Sequence, residues 1–319
     1  MTPAQRRGGR FLNPDGSPAG QTLGAVFRMM REGRGTPWPA RVENRPHPPA
    51  PETVPPGHAA ITFIGHASFL IRLADGTSLL TDPMFSDRCS PLSWIGPKRV
   101  RDPGLTLAGL PRIDAVLLSH GHYDHLDLPS LRALSAPLIV TGLGQDAFLA
   151  RNGIQGAVAL DWGQSHPLPG GHRATYLPAR HFSARGILDR ARSLWGGFSV
   201  ETTDGGRLCF LGDTAWGPHL AEIGAEAGPF GAALVPIGAY EPRWFMQAVH
   251  IDPAQAVAAR HVLRARTALA MHHGTFKLTQ EAIDAPAQGL AAAREEAGDP
   301  PESFLVPDVG ETLVLDLRP

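Results

Sequence analysis

The feature that most constrains this chain is Ser119-His120-Gly121-His122-Tyr123-Asp124-His125-Leu126-Asp127, which sets three histidines and a carboxylate within six residues in the order H-x-H-x-D-H. Before it, Ile113-Asp114-Ala115-Val116-Leu117-Leu118 has the length and the apolar, β-branched content of a buried strand. After it, Leu128-Pro129-Ser130-Leu131-Arg132-Ala133-Leu134 predicts a helix with Pro129 in its first turn. The motif therefore falls on a strand-to-helix loop, where side chains converge at a strand's end. Imidazole nitrogens and carboxylate oxygens are the donors that Zn²⁺ accepts outside thiolate sites. The alternate residues His120 and His122 can aim at one ion, and Asp124 and His125 at a second. The competing reading, surface histidines with no ligand role, requires four such residues to meet at this spacing by chance.

Two ions need more donors than one loop supplies, and further candidates lie at the ends of apolar runs. His181 follows Ala174-Thr175-Tyr176-Leu177 by a few residues, Asp213 ends Leu208-Cys209-Phe210-Leu211-Gly212, and His272 closes Thr267-Ala268-Leu269-Ala270-Met271. A site built along one edge of a sheet requires this placement. Upstream, Ile61-Thr62-Phe63-Ile64, Ser68-Phe69-Leu70-Ile71 and Ser78-Leu79-Leu80-Thr81 read as strands, with Asp75-Gly76 as a hairpin turn.

The chain resembles the metallo-β-lactamase superfamily, and within it the N-acyl-phosphatidylethanolamine-hydrolysing phospholipase D family and its bacterial relatives. The likeness extends over most of the chain. It is carried by Ile64-Gly65-His66-Ala67, by Thr81-Asp82-Pro83 through Gly96-Pro97-Lys98-Arg99, by Leu194-Trp195-Gly196, by Pro236-Ile237-Gly238-Ala239-Tyr240-Glu241-Pro242-Arg243-Trp244-Phe245-Met246, by His250-Ile251-Asp252-Pro253 and by His273-Gly274-Thr275-Phe276. The resemblance implies an α/β fold, a four-layer αββα sandwich, with two Zn²⁺ ions. His120, His122 and His181 would hold the first ion, Asp124, His125 and His272 the second, and Asp213 would bridge them. His273 is not the aligned ligand of its pair. Asp82 would orient a ligand histidine, with a simple turn aspartate as the alternative, and His66 would lie near the site or merely be packed. The implied reaction is phospholipase D-type hydrolysis of a phosphodiester, giving phosphatidic acid and an N-acylethanolamine. Asp124 would orient the attacking water and accept its proton. His250 would contact the phosphate or leaving group, against a purely structural hydrogen-bonding role. Val249 stands where the animal enzymes are expected to carry a polar residue, a departure that bears on headgroup recognition. Alternatives are a hydrolase of the same fold acting on a lactone, thioester or cyclic phosphodiester, and a non-catalytic metal-bearing protein.

At 319 residues with 43% apolar and 18% charged residues the chain can bury a large core, and its net charge of −1 excludes a generally basic nucleic-acid binder. Two cysteines build no disulfide framework, and Cys209 reads as a buried apolar group. The N-terminus lacks a signal-peptide core and no apolar run reaches membrane-spanning length, so the expectation is a cytoplasmic protein. Residues 1–57 read as a basic, Pro-rich arm ahead of a hydrolase domain at 58–319. Leu23, Val26, Phe27 and Met30 make one helical stripe, and up to Arg34 the arm has six arginines against two acidic residues. The favoured reading packs that stripe on the sandwich; peripheral contact with an anionic membrane is the alternative. Residues 37–56 read as an extended tether.

His47, His58, His166 and His172 read as solvent-exposed, His261 as structural in a helix, and His219 has no motif partner. Arg185, Arg190 and Arg192 read as a solvated charged face, with phosphate contact as the alternative. Trp216, Trp244, Phe245 and Met246 could line an acyl-chain groove or belong to the core.

Overall fold

The computed structural model describes residues 1–319 apart from 34, 135, 136 and 187, and leaves out the side chains of Leu23 and Met30. Short apolar runs separated by Gly- and Pro-containing turns form two seven-stranded sheets. The first six strands are β1 (His58–Gly65), β2 (Ser68–Leu73), β3 (Ser78–Thr81), β4 (Ala115–Leu118), β5 (Leu138–Gly142) and β6 (Val158–Leu160). The next seven are β7 (Ser165–Pro167), β8 (Arg173–Pro178), β9 (Gly196–Glu201), β10 (Arg207–Phe210), β11 (Phe230–Pro236), β12 (Ala265–Met271) and β13 (Phe304–Leu305), and the chain closes with β14 (Thr312–Asp316). The last strand returns to the first sheet, whose order is β14-β1-β2-β3-β4-β5-β6, while the second runs β13-β12-β11-β10-β9-β8-β7.

Each sheet is antiparallel at one side and parallel at the other. β14 through β3 pair antiparallel and β3 through β6 parallel. β7 through β10 pair antiparallel and β10 through β13 parallel. Parallel pairing needs a long return path, and helices provide most of the returns. Alternation along β4 shows how the layers are sealed. Ala115 and Leu117 face the second sheet, where they join Phe63, Phe69, Tyr176, Phe198 and Phe210 in the central core. Val116 and Leu118 face the other way, against Leu131 and Leu149 of helices Leu128–Ala133 and Gln145–Arg151. On the far side Ala233 and Val235 of β11 meet Leu220 and Ile223 of helix His219–Glu226 and Ala256 and Ala259 of helix Pro253–Val262. The result is the expected αββα sandwich. Each fully buried Phe contributes about 1.5–3 kcal/mol, which makes the seam between the sheets the main source of stability.

The Asp75-Gly76 turn forms as read: Leu73 N donates to Thr77 O, and the Asp75 carboxylate accepts from Thr77 N and Oγ1. His172 corrects the sequence reading, because it is 3% exposed rather than solvated. Its Nε2 lies 3.0 Å from Asp75 and its Nδ1 accepts from Thr203 N, so it joins a turn of each sheet. His47, His58 and His166 are half-buried rather than exposed, since the extended segment and the sheet edges cover them. His261 stands in its helix and reaches Asp299 at 2.9 Å.

Helix Leu23–Arg31 is capped by Thr22, whose hydroxyl accepts from Ala25 N. Ala25, Val26 and Met29 pack against Phe245, Met246 and Val249. Phe27 points outward, 67% exposed, so the expected stripe is corrected: the inward face is set one residue round the helix by the cluster at 245–249. Leu23 and Met30 of that stripe, and Arg34 of the basic count, lie outside the described side chains. Residues 37–56 contain no helix or strand, and Trp38 Nε1 and Val42 N tie them to Glu281 O and Val100 O.

Tyr176 crosses the seam between the sheets. Its hydroxyl donates to Ser119 O at 2.7 Å, and it fits because Gly142 and Gly196 carry no Cβ, which at either position would fall within 3 Å of the ring or its hydroxyl. Tyr176→Phe should lower stability by about 1 kcal/mol, the net contribution of one buried hydrogen bond. Urea unfolding checks this, and an unchanged midpoint would show that the bond adds nothing.

Candidate metal centre

The donors stand where strands of both sheets end, four of them in parallel pairs and one, β8, in antiparallel pairs. β3 leads to Asp82, β4 to Ser119 and His120, β8 to His181, β10 to Asp213 and β12 to His272. Sites in open α/β sheets form outside the carboxyl ends of strands for this reason. Four residues other than glycine take left-handed backbone here, His66 (φ 58), Asp82 (φ 30), Ala239 (φ 60) and His272 (φ 61). Such strain, about 1–3 kcal/mol each, persists where surrounding contacts over-determine the chain. At Gly238 a Cβ would fall 2.1 Å from His272 O, so only glycine lets the two loops approach.

All seven predicted metal residues come together. His120 Nε2 and His181 Nε2 lie 2.9 and 3.2 Å from His122 Nδ1, giving one three-histidine group. Asp124, His125 and His272 form a second, with Asp124 Oδ2 at 3.5 Å from His125 Nε2 and 3.4 Å from His272 Nε2. Asp213 Oδ2 stands between them, 3.2 Å from His125, 3.1 Å from His272, 3.8 Å from His181 and 4.0 Å from His120. His250 also reaches the centre, with Nδ1 3.9 Å from Asp213 Oδ2 and its ring 5.0 Å from His181. His273 turns away and stacks 5.9 Å from Phe63.

These groups fit metal ions better than they fit each other. His125 Nε2, His272 Nε2, His250 Nδ1 and Asp213 Oδ1 are buried without a hydrogen-bond partner among the described residues, although Asp213 lies close to three of the rings. Their lone pairs converge on common points instead of pairing. On three of the histidines the opposite ring nitrogen is engaged: His125 Nδ1 with Asp82 at 2.6 Å, His181 Nδ1 with Val249 O at 2.9 Å, and His120 Nδ1 with Ser119 Oγ at 2.9 Å, while His272 Nδ1 has no partner among the described residues. Each bond places the proton on the outer nitrogen and leaves the inner one free as a ligand. The arrangement offers two candidate metal sites bridged by one carboxylate.

Burial first, then neighbouring imidazoles, pushes His122 down to about 3, and burial with His272 does the same to His66. Those rings are neutral donors. Burial opposes ionisation of Asp213, but His272 and His125 outweigh it and hold the carboxyl well below its usual range. Burial likewise opposes charge on His272, and Asp213 and Asp124 raise it to about 9. Cations bound here would displace ring protons and take over the balancing of the two carboxylates.

Asp82 is fully buried and accepts from Ser119 N, Ser119 Oγ and His125 Nδ1, so it fixes the second group's histidine. The sequence leaves His66 either near the site or merely packed, and the fold brings it in: its Nε2 is 3.0 Å from Asp124 Oδ2, while its backbone meets Thr275 and His272. The signal available was the Gly65-His66 pair at a strand's end. Arg185 corrects the charged-face reading. Its Nη1 donates to Gly121 O and Leu126 O, its guanidinium lies 3.9 Å from the Tyr123 ring, and Tyr123 donates to Arg185 O. The loop after His181 is thereby clamped to the histidine loop. Arg192 is exposed. His219 is buried under the Asp213 turn, 2.9 Å from Thr214 Oγ1.

Above the centre opens a cavity of about 1180 Å³ whose floor includes His122, Asp124, His181, Asp213, His250 and His272. Its walls are largely apolar, with Val26, Met29, Ile95, Phe245, Met246 and Leu278. Trp216 does not line it, and Trp244 packs outside, with Arg28 4.1 Å from its ring.

The family model for the Beta-lactamase superfamily domain matches residues 77–273. N-acyl-phosphatidylethanolamine-hydrolyzing phospholipase D 1 of Caenorhabditis elegans is 37% identical over 267 residues, 78% of this chain and 74% of that protein. An uncharacterized protein of Mycobacterium tuberculosis is 39% identical over 245 residues, 74% of this chain, and the chain spans 64% of its length. In fold, isothiocyanate hydrolase from Delia radicum gut bacteria is similar, with a TM-score of 0.62 at 19% identity over 81% of this chain and 99% of that one. With two seven-stranded sheets, a histidine-aspartate centre at their shared edge and this family match, the chain belongs to the metallo-β-lactamase superfamily.

Proposed function

We propose that the protein is a dinuclear zinc phosphodiesterase that hydrolyses N-acyl-phosphatidylethanolamine or a related phospholipid in the manner of a phospholipase D. One observation carries the reading: a bridged two-site cluster forms the floor of a large cavity with apolar walls. Neutral imidazoles and carboxylates are a donor set zinc accepts. The apolar walls suit acyl chains, and the similarity to a phospholipase D of this name supports the substrate class. No helix among the described residues is long and apolar enough to cross a membrane.

His120, His122 and His181 would hold one ion, Asp124, His125 and His272 the other, with Asp213 shared. Two such ions, when bound, acidify water and neutralise charge on phosphoryl oxygens. Asp124 orients the attacking water and takes its proton. Its carboxylate borders the cavity, and the His66 Nε2–H holds Oδ2 in place. His250 faces the same floor with an Nδ1 that has no partner among the described residues, placed to contact a phosphoryl or leaving-group oxygen. Arg243 fixes that ring's backbone by donating to His250 O while pairing with Asp252 at 3.0 Å. The Asp252–Gln255 capping box then ties the segment to helix Pro253–Val262.

The test is release of phosphatidic acid from N-acyl-phosphatidylethanolamine by zinc-loaded protein. Asp124→Asn should lower the rate by about 10²–10⁴-fold, the usual range for a positioned base. Near-normal turnover with intact metal content would sink that role. Stripping metal with a chelator should abolish release and lower the melting temperature, and added Zn²⁺ should restore both. A melting temperature indifferent to chelation would count against a resident metal.

A further inference from the structure

Cations near the cavity are mostly matched. Arg180 pairs with Asp15 at 2.8 Å, Arg243 with Asp252, and Arg185 with two carbonyls. Arg190 is different. It lines the cavity, yet among the described residues its guanidinium makes no hydrogen bond and no ion pair, and its Nε is buried without an acceptor. Two surfaces hold it. The Phe182 ring lies 5.1 Å away, and the backbone of Gly20 lies so close that a Cβ there would collide with the guanidinium. A second cation sits alongside rather than an acid: Arg10 donates to Arg190 O and, at 3.4 Å, to Leu188 O. Burial, then Arg10, pushes the Arg190 pKa down.

A half-buried guanidinium beside another cation is costly unless an anion completes it. Its place in the site says where that anion would be. The Phe182 ring centroid lies 4.5 Å from that of His122, edge to face, so one aromatic ring neighbours both Arg190 and the three-histidine group. An oxyanion completing Arg190 would sit against the cavity wall beside Phe182.

We propose that Arg190 forms an anion subsite in the cavity wall, taking a second oxyanion, carboxylate or phosphate, while a phosphorus ester occupies the metal centre. The inference rests on the reading that phosphorus oxyanions dock at that centre. It narrows the substrate class to phosphodiesters accompanied by a second negative charge, which the substrate itself or an adjoining anionic lipid could present. Planar guanidinium suits such oxyanions through paired N–H donors.

Calorimetry on the metal-loaded protein tests this without turnover. A series of ω-phosphonocarboxylates is compared with alkylphosphonates of the same chain length. At one chain length the added carboxylate should tighten binding about tenfold in the wild type. Arg190→Gln should lose that ratio, Arg190→Glu should invert it, and Arg190→Lys should keep part of it. A ratio unchanged in Arg190→Gln, or no carboxylate gain at any chain length, would overturn the subsite and leave Arg190 as packing for Phe182. Because binding is read, absence of phospholipid turnover would remove the proposed activity and leave this result standing. Turnover then separates the two sources. A loss in Arg190→Gln with a monomeric, carboxylate-bearing phosphodiester assigns the oxyanion to the substrate. A loss confined to phosphatidylcholine vesicles containing phosphatidylglycerol assigns it to a neighbouring lipid, and a loss in neither overturns the subsite.

Discussion

Two buried carboxylates, Asp124 and Asp213, placed among inward-facing imidazoles are what the rest of the structure serves. In a low-dielectric interior such groups are unfavourable unless charge is balanced and lone pairs find acceptors. Here Asp213 Oδ2 stands within 4.0 Å of five histidine nitrogens, yet several of them have no hydrogen-bond partner among the described residues. Bound cations would resolve the conflict, and donors arranged in this way must be held in place by something other than their own attractions.

The holding is done from outside the cluster. Asp82, Ser119 and Val249 O take the outer ring nitrogens, Tyr176 spans the sheets to Ser119 O, and Arg185 with Tyr123 fastens the His181 loop to the histidine loop. The supporting groups come from both sheets, so the centre depends on the packing of the whole sandwich. The cavity shares this dependence, because the helix Leu23–Arg31 supplies part of its wall. An N-terminal segment far from the candidate metal residues in sequence thus forms part of the wall above them.

Local sequence carried much of the fold. Apolar runs placed the strands before Asp82, His120, Asp213 and His272, and Pro129 marked a helix start that the chain adopts. Burial of polar residues was less legible. His172 and Arg185 look solvated because their immediate neighbours are polar or glycine, whereas their partners lie 97 and about 60 residues away in the chain. Phe27 shows the converse error, since an apolar residue on a helix declares no direction until the surface it meets is known.

By itself the sequence determined the donor set and its loops, because H-x-H-x-D-H and residues closing apolar runs follow from backbone periodicity and donor chemistry. Tertiary structure decided the rest: that His66 joins Asp124, that Arg185 is a clamp, and that Arg190 faces the cavity with no ion pair among the described residues. Those facts depend on which distant segments meet at a point in space. Spacing along a chain does not encode that directly, because packing of the two sheets and their loops selects the contacts.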